Sequence, residues 1–210
     1  MSIRKFMERF PDEQACRDYL FQVRWPRGFI CTKCGESKYS YIKTRNLFEC
    51  SYCKTQTSTT SNTIMHRTKL PLRYWLLTFY WVASGERCSA RKISKTLKLN
   101  YRTALLLLYN VRLAMYKGEY DAYFAFWIPN EPQTPHIVKK AKLRLLKKAE
   151  RFIRKHYRHI SERRRESYFY EFRFRNNNQH DPSTAIDKLT MYCSTTIYSL
   201  NEYRIKRTIA

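Results

Sequence analysis

Two closely spaced cysteine pairs constrain the fold of this chain more than any other feature. The pairs read CTKC and CSYC, and their members are Cys31, Cys34, Cys50 and Cys53. Each Cys-x2-Cys turn lets both of its sulfurs reach one ion, and two pairs at this separation are typical of a zinc ribbon. Four sulfurs complete a closed tetrahedral site, so the metal is predicted to be structural. The alternatives are two disulfides or four unrelated thiols.

The residues around the pairs predict a small β fold. Between the pairs, aromatic and aliphatic residues alternate loosely with polar ones, which indicates a short hairpin with Arg45 and Asn46 near its turn. The polar, β-branched tract after Cys53 suits a third strand. Gly35 suits the backbone turn that follows the first pair. His66 lies nearby in sequence, but four sulfurs already saturate one ion, so we expect an ordinary exposed or packed histidine.

A helix is predicted before the first pair. Asp12 is placed to cap it, and Pro26 and its predecessor end it, since both disfavour helical backbone. Trp25 and Phe29 are expected to pack against the ribbon, because the ribbon's own core is minimal.

The charge of the chain limits the classes of partner. Among its 210 residues, 41 Lys and Arg outnumber 17 Asp and Glu, and the net charge of +24 is spread over both halves. A polyanion is the simplest partner, and double-stranded DNA comes before a membrane surface. The alternative is a soluble protein with a basic surface. The chain has only four glycines and no phosphate-binding loop, so no small-molecule substrate is expected.

The remaining cysteines and the apolar runs bear on location. Of the seven cysteines, Cys16, Cys88 and Cys193 fall outside the pairs, and such an odd remainder indicates a reducing compartment. Cys193 is expected to be part of the core. The start of the chain lacks the apolar segment of a signal peptide, and the longest apolar runs are too short to cross a bilayer. We therefore expect a cytoplasmic, nucleoid-associated protein with no membrane partner.

The segment after the ribbon changes to a helical period. Pro71 suits the first turn of a helix that is apolar on nearly every side, as in a small bundle. Ser89 is placed to cap a helix over 90–97, and Asn100 to cap a second helix that runs to about Met115. A helix, a three-residue turn and a longer helix make the helix-turn-helix pattern.

In such a unit the start of the second helix enters the major groove of DNA. Tyr101, Arg102 and Thr103 are then predicted to face the bases, since Arg can pair with a guanine edge through two hydrogen bonds. Asn100, the cap residue, is also a DNA-binding candidate. The residues predicted to contact phosphate are Arg91, Lys92, Lys95 and Lys98. The alternative is a plain helical bundle with a solvated basic face.

The last third of the chain predicts basic helices. Apolar residues recur at three- and four-residue steps over 138–165, which indicates a long basic amphipathic helix. Its candidate DNA-binding residues are Lys139, Lys140, Arg144, Lys147 and Arg151. The stretch YFYEFRFR fits either a strand or the end of an amphipathic helix. After an asparagine-rich loop, one more helix is predicted over 184–200, packing on the basic one.

Three tracts of the front half resemble one group of bacterial insertion-sequence transposases. They are RFPDEQACRDYLFQVRWPRGFICTKC, TSTTSNTIMHRTKLPLRYW and SARKISKTLKLNYRTALLLLYNVRLAM, and the resemblance covers residues 6–116. Members of this group have an N-terminal zinc ribbon, a helix-turn-helix and an RNase H-like catalytic domain with a DDE-type acidic triad. The resemblance implies that the front half recognises the terminal inverted repeats of a mobile element.

The back half departs from the pattern of that group. In the family the first catalytic Asp lies on a strand followed by glycines, whereas Asp121 in GEYDAY is the only candidate here and no glycine follows it. An RNase H-like core needs several paired strands to hold three carboxylates around two metal ions. Most of that domain is therefore predicted to be missing. The other carboxylates weighed as catalytic candidates are Glu131, Glu150, Glu166 and Glu171. Glu150 and Glu162 are expected to form helix-surface pairs with basic neighbours.

The sequence thus predicts a mainly α protein with a small β zinc ribbon. Its parts are an N-terminal helix and ribbon over 1–68, a helix-turn-helix bundle over 69–117, a linker over 118–136 and a basic helical region over 137–210. The leading hypothesis is a transposase-derived, catalytically inactive binder of double-stranded DNA with one structural zinc ion and a possible homodimer. One alternative is an active minimal transposase that cuts and joins DNA with Mg or Mn. Another is a zinc-ribbon RNA-binding protein, since its aromatic residues interleave with basic ones and can stack on unpaired bases.

Overall fold

The chain is mainly helical with one small antiparallel sheet, as the sequence predicts. The computed structural model describes residues 3–126, 135–157, 160, 162–178 and 182–195, with the backbone alone for 3, 119–126, 135–142, 162–163 and 182–183. In chain order the elements are α1 Ile3–Arg9, α2 Glu13–Arg24, β1 Tyr39–Ile42, β2 Leu47–Cys50, β3 Gln56–Thr57, α3 Leu72–Ala83, α4 Ala90–Leu97, α5 Tyr101–Phe126, α6 Pro135–His156, α7 Glu162–Asn177 and α8 Pro182–Thr195.

Local capping sets the start of α2, as predicted. The Asp12 carboxylate accepts a hydrogen bond from the backbone N–H of Ala15 at 2.8 Å, which satisfies one of the amides that a helix start leaves unpaired. The helix ends at Arg24, two residues before Pro26. Between these limits Cys16 and Leu20 are fully buried and share one face of the helix.

The ribbon sheet is a meander in the order β1-β2-β3. β1 and β2 are antiparallel, with Tyr39 opposite Cys50 at one end and Ile42 opposite Leu47 at the other. Asn46 closes the hairpin with a positive φ of 51°, a conformation that Asn tolerates better than most residues. The predicted hairpin and third strand are both confirmed.

An aromatic core supports the sheet, and it contains the residues expected there. Trp25, Phe29 and Phe48 are buried together with Cys31 and Cys50. The Trp25 and Phe29 ring centroids lie 5.1 Å apart, and those of Phe29 and Phe48 lie 5.8 Å apart. Contacts of this kind contribute beyond the apolar area that they bury. Three aromatic rings thus take the place of a larger apolar core.

The chain divides into two compact units, and the ribbon belongs to the first. This unit comprises Met1–Tyr80 and Ile186–Ala210. Asp187 of α8 ties the end of the chain to the N-terminal helices, because its carboxylate accepts hydrogen bonds from the Tyr19 hydroxyl at 2.5 Å and from Arg9 at 3.2 Å. The sequence-based division grouped residues 186–210 with the basic helix instead, and the part of that stretch beyond 195 lies outside the described residues.

The second unit, Trp81–Ala185, contains the whole of α4, α5, α6 and α7. Ser89 caps α4 through the backbone N–H of Lys92, and the Asn100 side chain accepts from the backbone N–H of Arg102 at the start of α5. Lys98 between them adopts a left-handed conformation with φ 52°. These local predictions are confirmed.

α5 runs further than its sequence pattern indicates. The helix was predicted to end near Met115 and a linker to begin at Gly118, but it continues to Phe126. The rings of Tyr116 and Tyr170 stack with centroids 4.4 Å apart, so α7 packs along α5 beyond the predicted end. One glycine inside a helix costs only about 1 kcal/mol relative to alanine, and Gly118 does not end α5. Of the rest of the predicted linker, residues 127–134 lie outside the described residues and 135–136 begin α6.

The basic helix is shorter than predicted. α6 ends at His156 instead of continuing to 165, and Tyr157 directly after it is buried. α7 then includes the stretch YFYEFRFR, which resolves the choice between strand and helix in favour of helix. Glu150 forms its surface pair with Arg165 of α7 at 2.9 Å, which is a contact between two helices and not a pair within one. The Glu162 side chain lies outside the described residues.

A buried carboxylate joins these helices. Glu171 of α7 is fully buried, and its Oε2 accepts a hydrogen bond from Arg112 Nε of α5 at 2.8 Å. Its Oε1 accepts from the Tyr157 hydroxyl at 2.5 Å and pairs with Arg175 at 2.7 Å. The Arg112 guanidinium also lies 3.7 Å from the centroid of the Tyr168 ring. Two cations and a hydroxyl thus compensate one buried anion.

This environment determines the charge state of Glu171. Burial raises the pKa of the carboxyl, but the charges of Arg112 and Arg175 and the hydrogen bond from Tyr157 together lower it by more, so its pKa lies below the ordinary value. The carboxylate is therefore ionised at neutral pH and satisfied by its partners.

The first prediction concerns the stability of this contact. Glu171→Gln leaves the buried Arg112 without its counter-ion, and we expect a loss of about 3–5 kcal/mol in the free energy of unfolding. The measurement is urea unfolding of the zinc-loaded protein followed by circular dichroism. Glu150→Gln removes an exposed pair and should cost less than about 1 kcal/mol. Equal effects of the two variants would contradict the assignment.

The second prediction concerns pH. Because the pKa of Glu171 is lower in the folded chain than in the unfolded one, its stabilisation is complete above the unfolded value of about 4.3 and is lost as pH falls through the folded value. The difference in unfolding free energy between wild type and Glu171→Gln should therefore stay constant from pH 7 to 5 and shrink below about pH 4. Using the difference cancels acid effects common to both proteins. A difference that does not change down to pH 3 would contradict this expectation.

Candidate metal centre and nucleic-acid interface

The four paired cysteines meet at one end of the sheet. The Sγ atoms of Cys31 and Cys53 lie 3.5 Å apart, those of Cys34 and Cys50 lie 3.5 Å apart, and those of Cys34 and Cys53 lie 3.4 Å apart. All four sulfurs lie within 4.8 Å of one another. Cys31 and Cys50 are buried, whereas Cys34 is exposed.

Two equivalent turns place the sulfurs. The backbone N–H of Gly35 donates to the carbonyl of Cys31 at 3.0 Å, and the N–H of Lys54 donates to that of Cys50 at 3.1 Å. Gly35 and Lys54 both have positive φ, 76° and 56°. Gly35 adopts this conformation without strain because it has no Cβ, whereas Lys54 adopts it with a side chain present.

The turns also direct hydrogen-bond donors at the sulfurs. Backbone N–H groups of Cys34 and Lys33 lower the pKa of Cys31. The hydroxyl and backbone N–H of Thr55 lower the pKa of Cys53 to about 6. Donors of this kind favour the thiolate, which is the form that ligates metal.

The arrangement fits one structural zinc ion. Four sulfurs about 2.3 Å from a tetrahedral ion lie about 3.8 Å from each other, close to the separations in this cluster. The donor set is all sulfur and leaves no position open for a substrate. When bound, zinc links the two turns through four strong bonds. Cys31, Cys34, Cys50 and Cys53 are therefore the ligands of a zinc ribbon.

The other cysteines are not available for such a role. Cys16, Cys88 and Cys193 are buried, and burial raises the pKa of each thiol. Cys193 is part of the core, as expected. His66 accepts a hydrogen bond from the backbone N–H of Asn62 through Nδ1 at 3.1 Å and is not among the metal-binding group, so the expectation of an ordinary histidine agrees with the structure.

The residues predicted to face DNA bases lie around the start of α5. Tyr101 is 51% exposed, Arg102 is exposed and Thr103 is half-buried. The Asn100 side chain caps the helix by accepting from the N–H of Arg102 at 2.9 Å. The start of α5 thus combines the positive end of the helix dipole with the Arg102 guanidinium. Both features favour binding of an anionic ligand there.

Basic residues predicted to contact phosphate lie on α4 and in the turn after it. Arg91, Lys95 and Lys98 are exposed. Arg91 and Lys95 are four residues apart on α4 and share one helix face, whereas Lys98 follows the helix in a left-handed conformation. Lys92 differs from these, because its ammonium pairs with Glu86 at 2.6 Å and lies 5.0 Å from the centroid of the Trp81 ring. A phosphate would have to displace that pair.

The candidates on α6 divide into two groups. Arg144, Lys147 and Arg151 are exposed, as a nucleic-acid contact requires. The Lys139 and Lys140 side chains lie outside the described residues. Leu145 belongs to the apolar series predicted for this helix but is 40% exposed, and Ala149 is the first buried residue among the described side chains of α6.

The acidic candidates do not come together among the described side chains. Asp121 lies on α5, a helix and not the strand that the family pattern requires. Glu150 pairs with Arg165, and Glu171 is buried between Arg112 and Arg175. Glu131 lies outside the described part of the chain. Within that part, the cysteine cluster is the one group of three or more potential metal ligands.

Sequence reasoning missed a cavity of about 240 Å³ beside the ribbon. It lies between α2 and the strands β1 and β2, and its lining includes Arg17, Tyr39 and Tyr41. The only sequence signal was the alternation of two tyrosines along β1, which was used to predict a strand. The contribution of α2 could not be read from the pattern, since it depends on how the helix packs on the sheet.

Comparison with known families places the ribbon in context. Residues 11–56 match a family described as the transposase zinc-ribbon domain. The matched segment contains the Asp12-capped helix and all four cysteines. No curated protein and no solved structure gives a significant match to the chain. The front of the protein is therefore similar to a transposase-type zinc ribbon.

The described helices were also compared with the requirements of a bilayer. None of them combines the length and the apolar composition that a membrane crossing needs.

The third prediction tests the metal centre. Cys50→Ser removes one of four ligands, and we expect zinc content to fall from about one ion per chain to less than about 0.2, because a structural site needs its full set of sulfurs. Zinc is measured by mass spectrometry of the purified protein, and Co²⁺ substitution should give the thiolate charge-transfer absorption of a tetrahedral all-sulfur site in wild type only.

Cys16→Ala is the matched control, since Cys16 is equally buried but lies outside the cluster. It should retain the metal. Retention of zinc by Cys50→Ser, or its loss from Cys16→Ala, would contradict the assignment.

Proposed function

We propose that this protein is a transposase-derived, sequence-specific binder of double-stranded DNA that recognises transposon-end-like or operator sites. The observation that carries the proposal is the exposed pair Tyr101 and Arg102 at a capped helix start, separated from α4 by a three-residue turn. The geometry supports a helix-turn-helix in which α4 lies near the backbone and α5 enters the major groove. The transposase-type ribbon at residues 11–56 supports the same class of protein.

Charge favours nucleic acid as the partner. The net charge of +24 provides long-range attraction to a polyanion, and the exposed Arg91, Lys95 and Lys98 supply local phosphate contacts. The exposed cations of α6 extend the basic surface. In this division of roles, phosphate contacts position the protein and Arg102 reads sequence.

The protein acts without cutting DNA in this proposal. Two of the acidic candidates, Glu150 and Glu171, are engaged by arginines, and a carboxylate between two arginines is poorly placed to hold a divalent cation. Asp121 lies on a helix. A binder of this kind, associated with the nucleoid and able to act as a homodimer on two-fold sites, would compete for transposon ends or regulate a promoter.

The fourth prediction tests base readout. Duplexes bound by the zinc-loaded protein are selected from a random DNA pool at about 0.15 M salt, where nonspecific attraction is weakened. Wild type should enrich one motif. Arg102→Ala should lose about 1–3 kcal/mol on that motif and relax selection at one or two positions, because a bidentate contact to one base is removed.

Arg91→Ala is the matched control. It removes a cation of the same size from α4, so binding should weaken equally on all sequences and the salt dependence should fall by about one counter-ion. Failure of wild type to enrich any motif would overturn the proposal. Cleavage of the enriched duplex in the presence of Mn²⁺ would instead establish the active-transposase alternative.

A further inference from the structure

The cavity beside the ribbon has a chemistry that the proposed function does not use. It is smaller than the pockets that hold drug-sized ligands, which occupy about 300–1,000 Å³. Its walls combine aromatic rings from the sheet with polar side chains from α2. All of the lining residues belong to the compact unit that contains the zinc ribbon.

Four aromatic rings form the apolar wall. Phe48 lies at its base, with the centroid of Phe21 at 4.9 Å, that of Tyr41 at 5.0 Å and that of Tyr39 at 5.4 Å. Tyr39 and Tyr41 are two residues apart on β1 and therefore share a face of the sheet. They remain 41% and 36% exposed.

A hydrogen bond fixes the position of Tyr41, which is the tyrosine nearer the hairpin turn. The Tyr41 hydroxyl donates a hydrogen bond to the Asn46 side chain at 2.9 Å. A ring that is already fixed loses little conformational entropy when a flat ligand stacks on it.

The polar wall comes from one turn of α2. The Arg17 Nε donates to the Gln14 side-chain oxygen at 3.1 Å, and the Gln14 amide nitrogen donates to Asp18 at 2.8 Å. Residues 14, 17 and 18 are three and four apart, so they share one helix face. An amide, a guanidinium and a carboxylate together offer both donors and acceptors to the edge of a heterocycle.

These features favour a nucleobase over other flat ligands. Aromatic side chains stack on any base, and polar groups at the ring edge are those that read unpaired bases. A net charge of +24 brings polyanions to the surface, and the exposed Lys38 and Lys43 adjoin the tyrosines in sequence. An apolar peptide or a lipid tail has no hydrogen-bonding groups to offer the amide, guanidinium and carboxylate of α2, whereas the edge of a base has them.

We propose that the cavity formed by Phe21, Tyr39, Tyr41 and the Gln14–Arg17–Asp18 turn binds one unpaired base of a DNA strand. The inference builds on the proposed function, because an unpaired base next to a duplex is what a frayed or processed transposon end presents. The base stacks on Tyr41, and its edge meets the polar side chains of α2. The helix-turn-helix and the cavity would then bind different parts of one DNA molecule.

The first arm of the test uses the wild-type, zinc-loaded chain. Fluorescence anisotropy at about 0.15 M salt compares a fluorescein-labelled oligothymidine of about twelve nucleotides with an abasic strand that has the same number of phosphates. We expect binding of the abasic strand to be about tenfold weaker, since base–aromatic stacking is lost while charge is retained. Equal affinities would overturn the proposal, because backbone charge alone would then explain binding.

The second arm uses variants at one position. Tyr41→Ala should weaken binding of oligothymidine about tenfold and leave the abasic strand unaffected. Tyr41→Phe retains the ring and loses only the hydrogen bond to Asn46, so it should bind nearly as wild type does. Tyr52→Ala is the matched control, because this tyrosine of the ribbon is 79% exposed and does not line the cavity.

A third arm covers the case in which Tyr41→Ala does not fold. An oligonucleotide with 5-bromouracil is crosslinked to wild type by light, and the modified peptide is identified by mass spectrometry. Crosslinks to Tyr39 or Tyr41 support the proposal, and crosslinks confined to α6 overturn it. A uridine oligonucleotide that binds tenfold tighter than its DNA equivalent would overturn the assignment to DNA.

The outcomes separate this inference from the proposed function. If duplex selection enriches no motif but oligothymidine still depends on Tyr41, base binding by the cavity stands and sequence-specific duplex recognition fails. If Arg102→Ala relaxes selection while Tyr41→Ala changes nothing, the reverse holds.

Discussion

The arrangement of α5, α6 and α7 depends on one buried carboxylate. Glu171 meets Arg112 from α5, Arg175 from its own helix and the Tyr157 hydroxyl at the end of α6. Arg175 in turn donates to the carbonyls of Gly85 and Glu86, both at 2.6 Å, which secures the loop before α4. An anion in this position must be fully compensated, because an unpaired buried charge costs several kcal/mol. Its partners therefore fix where each of these segments lies.

The same contact shows how a highly basic chain distributes its charge. Arg112 and Arg175 face inward and are neutralised, whereas Arg91, Lys95 and Arg102 stay at the surface. Arginine suits the buried positions, since its planar group can pair with a carboxylate and stack on Tyr168 at once. None of these three surface cations forms an ion pair with a described carboxylate, so a phosphate would not have to displace one. The buried arginines thus stabilise the fold, and the exposed cations are the ones to which the proposed function assigns binding.

The sequence predicts the parts of the structure that local chemistry controls. Asp12, Ser89 and Asn100 each cap a helix where expected, because a cap involves residues two or three positions apart. The four cysteines form their cluster for the same reason, since each turn is local and the metal joins them. The end of α5 and the helical state of YFYEFRFR were not predictable in this way. Both depend on contacts between α5 and α7, and the spacing of Arg112 and Glu171 has no signature in a single sequence.

Zinc also determines which side chains the ribbon can leave at its surface. A sheet of three short strands has too few inward-facing positions for a stable core of its own. Such a sheet normally needs to bury its large aromatic side chains. Here four metal bonds, Phe48 of β2 and the rings of Trp25 and Phe29 from outside the sheet supply the stability. Tyr39, Tyr41 and Tyr52 therefore need not be buried and remain partly or largely exposed. The metal centre performs no chemistry, yet it leaves the aromatic face of β1 accessible beside the polar turn of α2.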